Sequence, residues 1–429
     1  MIQAGVNLKN KFCVILTIAI LCLAMVPIFA LTVNAQQTSS WPMFHGDLAH
    51  TGYTATAGPS TNNTLWTYDT HGWVLDSPAV ASGVVYFGAS DAGYFNTKND
   101  NLYAVNATTG EKIWSYSVGG QISSSPAVAD GIVFFGSDDN NIYALNATTG
   151  AYIWKFATGN MAQDPPTVSN GIVYAGSNDD KLYALNETTG VPVWTFTTGG
   201  YVASAAAVSN GVVYFGSVDH NVYALDALTG VEKWTFATGS DIYSAPLVVN
   251  GSVYIGSYDN YTYALNANTG ALVWKLETGY DQCVQASPAY SNGLIYTGGA
   301  FDHDVYALDA ATGAIKWTCT TDNEVTTAPA IAGNVVYVSD SLGNKTYAIN
   351  AQTGAIIWAF QTNGNVYSSP AIANGVAYFG SYDGNLYAVG APATTKVDEF
   401  SSVAVVMIVV ALAVAAFGTS RYRKGTKKS

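Results

Sequence analysis

The sequence predicts an all-β, eight-bladed β-propeller, closed by its own N-terminal outer strand and followed by one C-terminal transmembrane helix. Three observations predict it. A unit Ala-x-(Asn/Asp)-x-x-Thr-Gly-x-x-x-Trp recurs seven times, from Ala104–Trp114 to Ala348–Trp358, with most Trp-to-Trp steps at 40 residues. Short apolar runs and Gly-rich turns fill each period, as blades of four short strands require. An isolated Trp66, in Thr64-Leu65-Trp66-Thr67-Tyr68, supplies the outer strand that the last repeat lacks.

The elements follow in chain order. Lys9 and Lys11 precede an apolar run from Phe12 to Val33, which ends Val33-Asn34-Ala35. Residues 1–35 therefore form a secretory signal peptide. The run is also long enough to serve as an uncleaved anchor. Ile20-Leu21 stand before Cys22 where lipid attachment needs small residues, so no lipid anchor is expected. Residues 36–60 are a lead-in containing Trp41-Pro42-Met43-Phe44-His45-Gly46-Asp47, and residues 61–390 are the propeller.

Within each period, Ser-Pro-Ala-Val, as at Ser125–Val128, opens an inner strand of small residues suited to a crowded axis. Runs such as Gly211–Ser217 are apolar on consecutive positions, the pattern of a strand covered on both faces. A polar turn leads to a third strand, Leu-Tyr-Ala-Val in the last copy, and the Thr-Gly turn joins it to the outer strand. In that turn the Asn or Asp bonds the backbone two residues on, and the Gly takes a positive φ. A type I turn with a Gly bulge results. Trp66, Trp114, Trp154, Trp194, Trp234, Trp274, Trp317 and Trp358 bury their rings between blades. Inner strands beginning near Ser77, Ser125, Pro165, Ala205, Ala245, Ser287, Ala328 and Ser369 give the same count of eight. The strand at Trp66 then completes the blade begun at Ser369, so the ring has no open edge.

Residues 391–400 form a stalk and 401–418 an apolar span, followed by a basic tail, 419–429, with Arg421, Arg423, Lys424, Lys427 and Lys428. The basic tail is expected in the cytoplasm and the propeller outside the membrane. Both arginines lie in that tail. The body keeps eight lysines against 27 acidic residues, a net charge near −19. Such a field argues against nucleic acid and phosphate-rich ligands, and suits cations or cationic partners. Asn-x-Ser/Thr sequons stand at Asn62, Asn106, Asn146, Asn186, Asn250, Asn260 and Asn344. They are glycan acceptors in an exported chain, or at Asn106, Asn146 and Asn186 a by-product of the repeated turn.

The repeat unit resembles that of the pyrroloquinoline-quinone (PQQ)-binding-like propellers over roughly residues 41–392. That superfamily includes quinoprotein alcohol dehydrogenases and the lipoprotein subunit of the bacterial barrel-assembly machine. Trp41–Asp47 resembles the lead-in of secreted, especially archaeal, members, and Asp398-Glu399-Phe400 with the span resembles an archaeal sorting tail. The resemblance implies two functions. A dehydrogenase would need groups for the three carboxylates of PQQ, a Ca²⁺ ion, a catalytic carboxylate and a disulfide between adjacent cysteines. Arg is the natural carboxylate partner, and the body has none; nor has it adjacent cysteines. No cofactor is therefore expected, and no catalytic or metal-binding residue is assigned.

Five histidines, His45, His50, His71, His220 and His303, do not form a ligand set, although Asp302-His303-Asp304 is a conceivable cation turn. An oxidising compartment favours pairing of Cys283 with Cys319, whereas three strand spacings, about 14 Å, oppose it. If a ligand site exists, departures from the repeat mark it. Asp76, Gln163, Asp164, Tyr243, Gln285 and Tyr367 break a pattern of small residues at the channel rim. The eight-residue insertion Ala92–Asn99 in the first blade is a second irregularity. The expected function is a non-enzymatic cell-surface scaffold with a protein or surface-polymer partner. The alternatives are a PQQ- or metal-dependent oxidoreductase and a structural envelope or adhesion component.

Overall fold

The computed structural model describes residues 40–90, 100–279, 284–299 and 301–391. The signal segment, the 92–99 insertion, Cys283, the stalk beyond 391, the 401–418 span and the 419–429 tail lie outside the described residues. Among the described residues no helix is long and apolar enough to cross a membrane.

Eight four-stranded antiparallel meanders form around one axis, one of them extended by a short parallel strand. Blade 1 is Ala79–Ala81, Val84–Ala89, Asn101–Asn106 and Lys112–Ser117. The inner strand starts two residues later than the Ser-Pro motif implies, at Ala127 in blade 2, because Pro126 has no N–H for the ladder. The second strand is buried along nearly its whole length, as its unbroken apolar run requires. The meander places the outer-to-inner connections and second-to-third turns on one face, here called the mouth. The Thr-Gly turns lie on the other.

The ring closes as expected. Strand β1 (Tyr53–Thr54) pairs in parallel with Ala330–Ala332. Strand β2 (Thr64–Asp69) pairs antiparallel with Asn385–Gly390, Trp66 opposite Ala388, and completes blade 8. Blades are joined through the Thr-Gly turns. The Trp114 indole donates to Ala147 O (2.9 Å) and the Tyr86 hydroxyl to the same carbonyl (3.1 Å), so blade 1 grips blade 2 twice. The bond recurs around the ring to Trp66, which donates to Ala107 O beside Tyr378 (both 3.1 Å). Blade 8 has no Thr-Gly turn because its outer strand comes from the N-terminus. Pro59 O fills the gap, accepting from Tyr337 (3.0 Å) and Trp358 (3.4 Å).

The Thr-Gly turn has the expected form. Asn186 Oδ1 accepts the Thr188 and Thr189 N–H groups, Gly190 has φ 69°, and the register shifts after Ala184. It also has a second constraint: a Cβ on Gly190 would stand 2.7 Å from the Trp154 ring. Glycine therefore serves both the left-handed backbone and the close approach of the preceding blade's indole.

Candidate functional site

The axis is blocked beneath the mouth by residues 41–52. This segment follows the channel and hydrogen-bonds the middle of most inner strands. Pro42 O accepts from Val128 N, Leu48 O from Val208 N, Ala49 O from Val248 N, Thr51 O from Tyr290 N and Gly52 O from Ile331 N. Asp47 Oδ1 caps the bend, accepting from the N–H groups of Ala49 and Thr51. His50 is fully buried; its Nδ1 lies 3.2 Å from Pro246 O and its Nε2 3.4 Å from Thr167 Oγ1. His45 stacks on Phe44 at 4.7 Å, and its buried Nε2 has no partner. Burial lowers the His45 pKa to about 3 and that of His50 to about 4, so both are neutral at neutral pH.

Above this plug, with Phe44 in its wall, lies an axial cavity of ≈ 220 Å³. All six rim residues singled out from the sequence line it: Asp76, Gln163, Asp164, Tyr243, Gln285 and Tyr367. They differ in burial. Asp76 and Asp164 are 2% and 7% exposed, and Tyr243 and Tyr367 are 36% and 39% exposed. Gln163 bridges Asp138 and Asn178 (3.0 Å each). Gln285 accepts from Tyr258 (3.3 Å), whose ring lies 4.7 Å from Tyr243. Tyr367 packs 5.0 Å from Tyr382, which stacks on Trp73.

Burial raises the Asp76 and Asp164 pKa values well above the ordinary carboxyl range. Asp76 Oδ2 accepts from Gly88 N (2.7 Å), but its Oδ1 is buried without a partner, as is Oδ2 of Asp164. One residue further on, a chain of serines runs around the wall. Ala328 N donates to Ser369 Oγ, Ser369 N to Ser77 Oγ, and Ser77 N to Ser125 Oγ, each 2.9 Å. Pro165 ends it, with neither an N–H nor a hydroxyl to offer.

Other candidates do not gather here. His220 pairs with Asp241 at 3.0 Å, and His71 with Asp69 at 3.0 Å on an exposed corner. His303 sits in its turn with φ 60° while Asp302 accepts from Tyr306. Among the described residues no group of three or more His, Cys, Asp or Glu is placed to hold a metal ion. Cys319 is buried with a free thiol. The plug went unrecognised in the sequence. Its signal was the density of Trp41, Phe44, His45 and His50 in a segment almost without charge.

A family model described as outer membrane protein assembly factor BamB matches residues 98–206, 197–300 and 279–394. The chain belongs to that family. Among solved structures, BamB from Moraxella catarrhalis is similar at 22% identity and a TM-score of 0.64, covering 77% of this chain and 98% of that one. A computationally designed protein, Ika8, is similar at 18% identity and a TM-score of 0.67, covering 78% and 100%. Quinohemoprotein alcohol dehydrogenase from Comamonas testosteroni follows at 16% and 0.67, covering 84% and 82%. At these identities the likeness establishes the shared propeller fold. No curated protein matches the chain.

The dehydrogenases of similar fold raise the question whether this cavity fits a quinone. The lining described above has no Lys, Arg or His side chain to set against its carboxylates. The residues do not fit PQQ.

Proposed function

We propose that the protein is a non-enzymatic binding or protein-interaction scaffold, held outside the membrane by the 401–418 span, with the axial mouth as its contact site. The partner is a protein or a surface polymer, and nucleic acid is excluded by the field of the body. The observation that carries this reading is the mouth. It is an open cavity walled by carboxyls, hydroxyls and tyrosines, without a basic group to hold an oxidised cofactor. The family, described as an assembly factor, supports a role exercised through contact with other proteins. The dehydrogenase neighbours support only the fold.

Two measurements on the purified full chain test it. Titration with PQQ and Ca²⁺ should leave melting and absorbance unchanged. Saturable binding at a hundredfold excess over Kd would raise stability by about 2.7 kcal/mol and establish the oxidoreductase instead. Photocrosslinking on cells from a reactive residue at Tyr367 should give one defined adduct, and from Ile357 on the outer rim none. The reverse pattern would move the contact site to the perimeter.

A further inference from the structure

We propose that the fold selects three of the seven Asn-x-Ser/Thr sequons for N-glycosylation: Asn106, Asn146 and Asn186, in the Thr-Gly turns of blades 1, 2 and 3. This rests on the reading that the propeller lies outside the membrane, and it adds a modification to the face opposite the mouth.

The turn itself asks for neither half of the sequon. Asp226 and Asp309 accept in blades 4 and 6 the same two N–H bonds that Asn186 accepts in blade 3. Two residues on, blades 1–3 have Thr108, Thr148 and Thr188, and blades 4–7 have Leu228, Asn268, Ala311 and Gln352. Each of these seven gives its N–H to the turn's Asn or Asp oxygen, at 2.8–3.2 Å. The side chain at this position faces solvent: the three threonines are exposed, and Leu228 is 66% exposed. Asn and Thr therefore coincide in three consecutive blades where the turn requires neither.

The same bonds present the amide. In all three sequons Oδ1 is held by backbone N–H groups, so the side chain is fixed through its oxygen. Among the described residues no acceptor is bonded to Nδ2 of these three, and none of those nitrogens is a buried, unpaired atom. The other four sequons are already engaged. Asn62 Nδ2 donates to Ala359 O (2.8 Å) and Asn250 Nδ2 to the Tyr290 hydroxyl (2.9 Å). The hydroxyl residues that follow Asn260 and Asn344, Thr262 and Thr346, are fully buried. Thr262 Oγ1 lies 2.6 Å from Thr278 Oγ1, and Thr346 Oγ1 lies 2.9 Å from Ser339 Oγ. A transferase that reads both the amide and the hydroxyl two residues on meets both exposed at the three Thr-Gly turns.

The donor is a glycan carried on a lipid phosphate or pyrophosphate. Its anomeric C–O bond to phosphate breaks, a C–N bond to Nδ2 forms, the phosphate leaves with the lipid, and the amide gives up one proton. Oδ1 is untouched, so both N–H bonds of the turn survive the transfer.

The test is glycopeptide mass spectrometry, site by site, on the full chain purified from the cells that produce it. Asn106, Asn146 and Asn186 should carry glycan on most molecules, and the other four sequons on a small minority. The triple variant Thr108→Ala, Thr148→Ala and Thr188→Ala should lose the added mass and still fold, since Ala311 builds the same turn in blade 6. Serine at the same three positions should keep the mass, because the hydroxyl is kept. Glycan spread evenly over all seven sequons would overturn selection by the fold. Unmodified Asn106, Asn146 and Asn186 in a body that protease added to intact cells can digest would overturn the modification alone. A body that this protease cannot reach would overturn the outside placement together with it.

Discussion

At the scale of single residues, the inter-blade contact is a three-part device: an indole, a tyrosine hydroxyl and a turn carbonyl. Blade 2 lacks one part. Phe134 stands where the other blades have Tyr, 5.8 Å from Trp154, and Glu187 O accepts only the Trp154 indole (2.8 Å) among these two rings. Phe134→Tyr restores the hydroxyl next to its acceptor, as in Tyr174 to Ala227 O (2.9 Å). The expected gain is about 1 kcal/mol, read as a higher denaturant midpoint at unchanged m-value. Gly190→Val should do the opposite. It meets both a left-handed φ of 69° and the Trp154 ring at 2.7 Å, so a loss above ~2 kcal/mol is expected. Parental unfolding of that variant would show that the turn and the indole do not depend on each other.

At the scale of elements, the strands were legible because their signals are local. The Asn186 turn, the alternation around Trp194 and the apolar run Ile172–Ser177 each depend on residues a few positions apart. Even closure was legible, since counting inner and outer strands left Trp66 and Ser369 as complementary remainders. The plug was not. Its bonds join residues 42–52 to inner strands between about 80 and 280 positions away, and no periodicity encodes such pairings. The rim could be located by departures from the repeat, but the burial of Asp76 and Asp164 depends on the close approach of eight blades. The plug makes a prediction of its own. Deleting residues 40–52 should lower the melting temperature and expose the Val128, Val208, Val248 and Tyr290 amides to faster hydrogen exchange. Amides on the outer strands should keep their protection, because the Trp-carbonyl contacts are untouched. Uniform loss across the ring would mean that the segment holds the propeller together and does not merely fill it.

At the scale of the whole molecule, two sets of buried titratable groups sit on one axis and slope in opposite directions. His45 and His50, held near pKa values of about 3 and about 4, are neutral in the fold and take up protons more readily when unfolded. Their contribution is full above pH ~6.5 and is lost as pH falls towards 4. Asp47 beside His45 offsets this only in part, because desolvation is the larger cause. Asp76 and Asp164 have folded pKa values raised by burial, so the fold retains protons that the unfolded chain releases above pH ~3.8. Their contribution is present at low pH and is lost as pH rises through the folded values. Above pH ~3.8 the two pairs slope in opposite directions, the histidines adding stability up to pH ~6.5 and the acids removing it until their raised folded values are passed, each group with a limiting slope of about 1.4 kcal/mol per pH unit. The Asp76→Ser and Asp164→Ser double variant isolates the acids' contribution from the general repulsion of an acidic body. Its stability relative to the parent should improve from pH 5 to pH 8, because serine has no proton to lose. A constant difference across that range would mean that both carboxyls are already ionised in the fold, with a cation or water supplying the donors their orphaned oxygens lack.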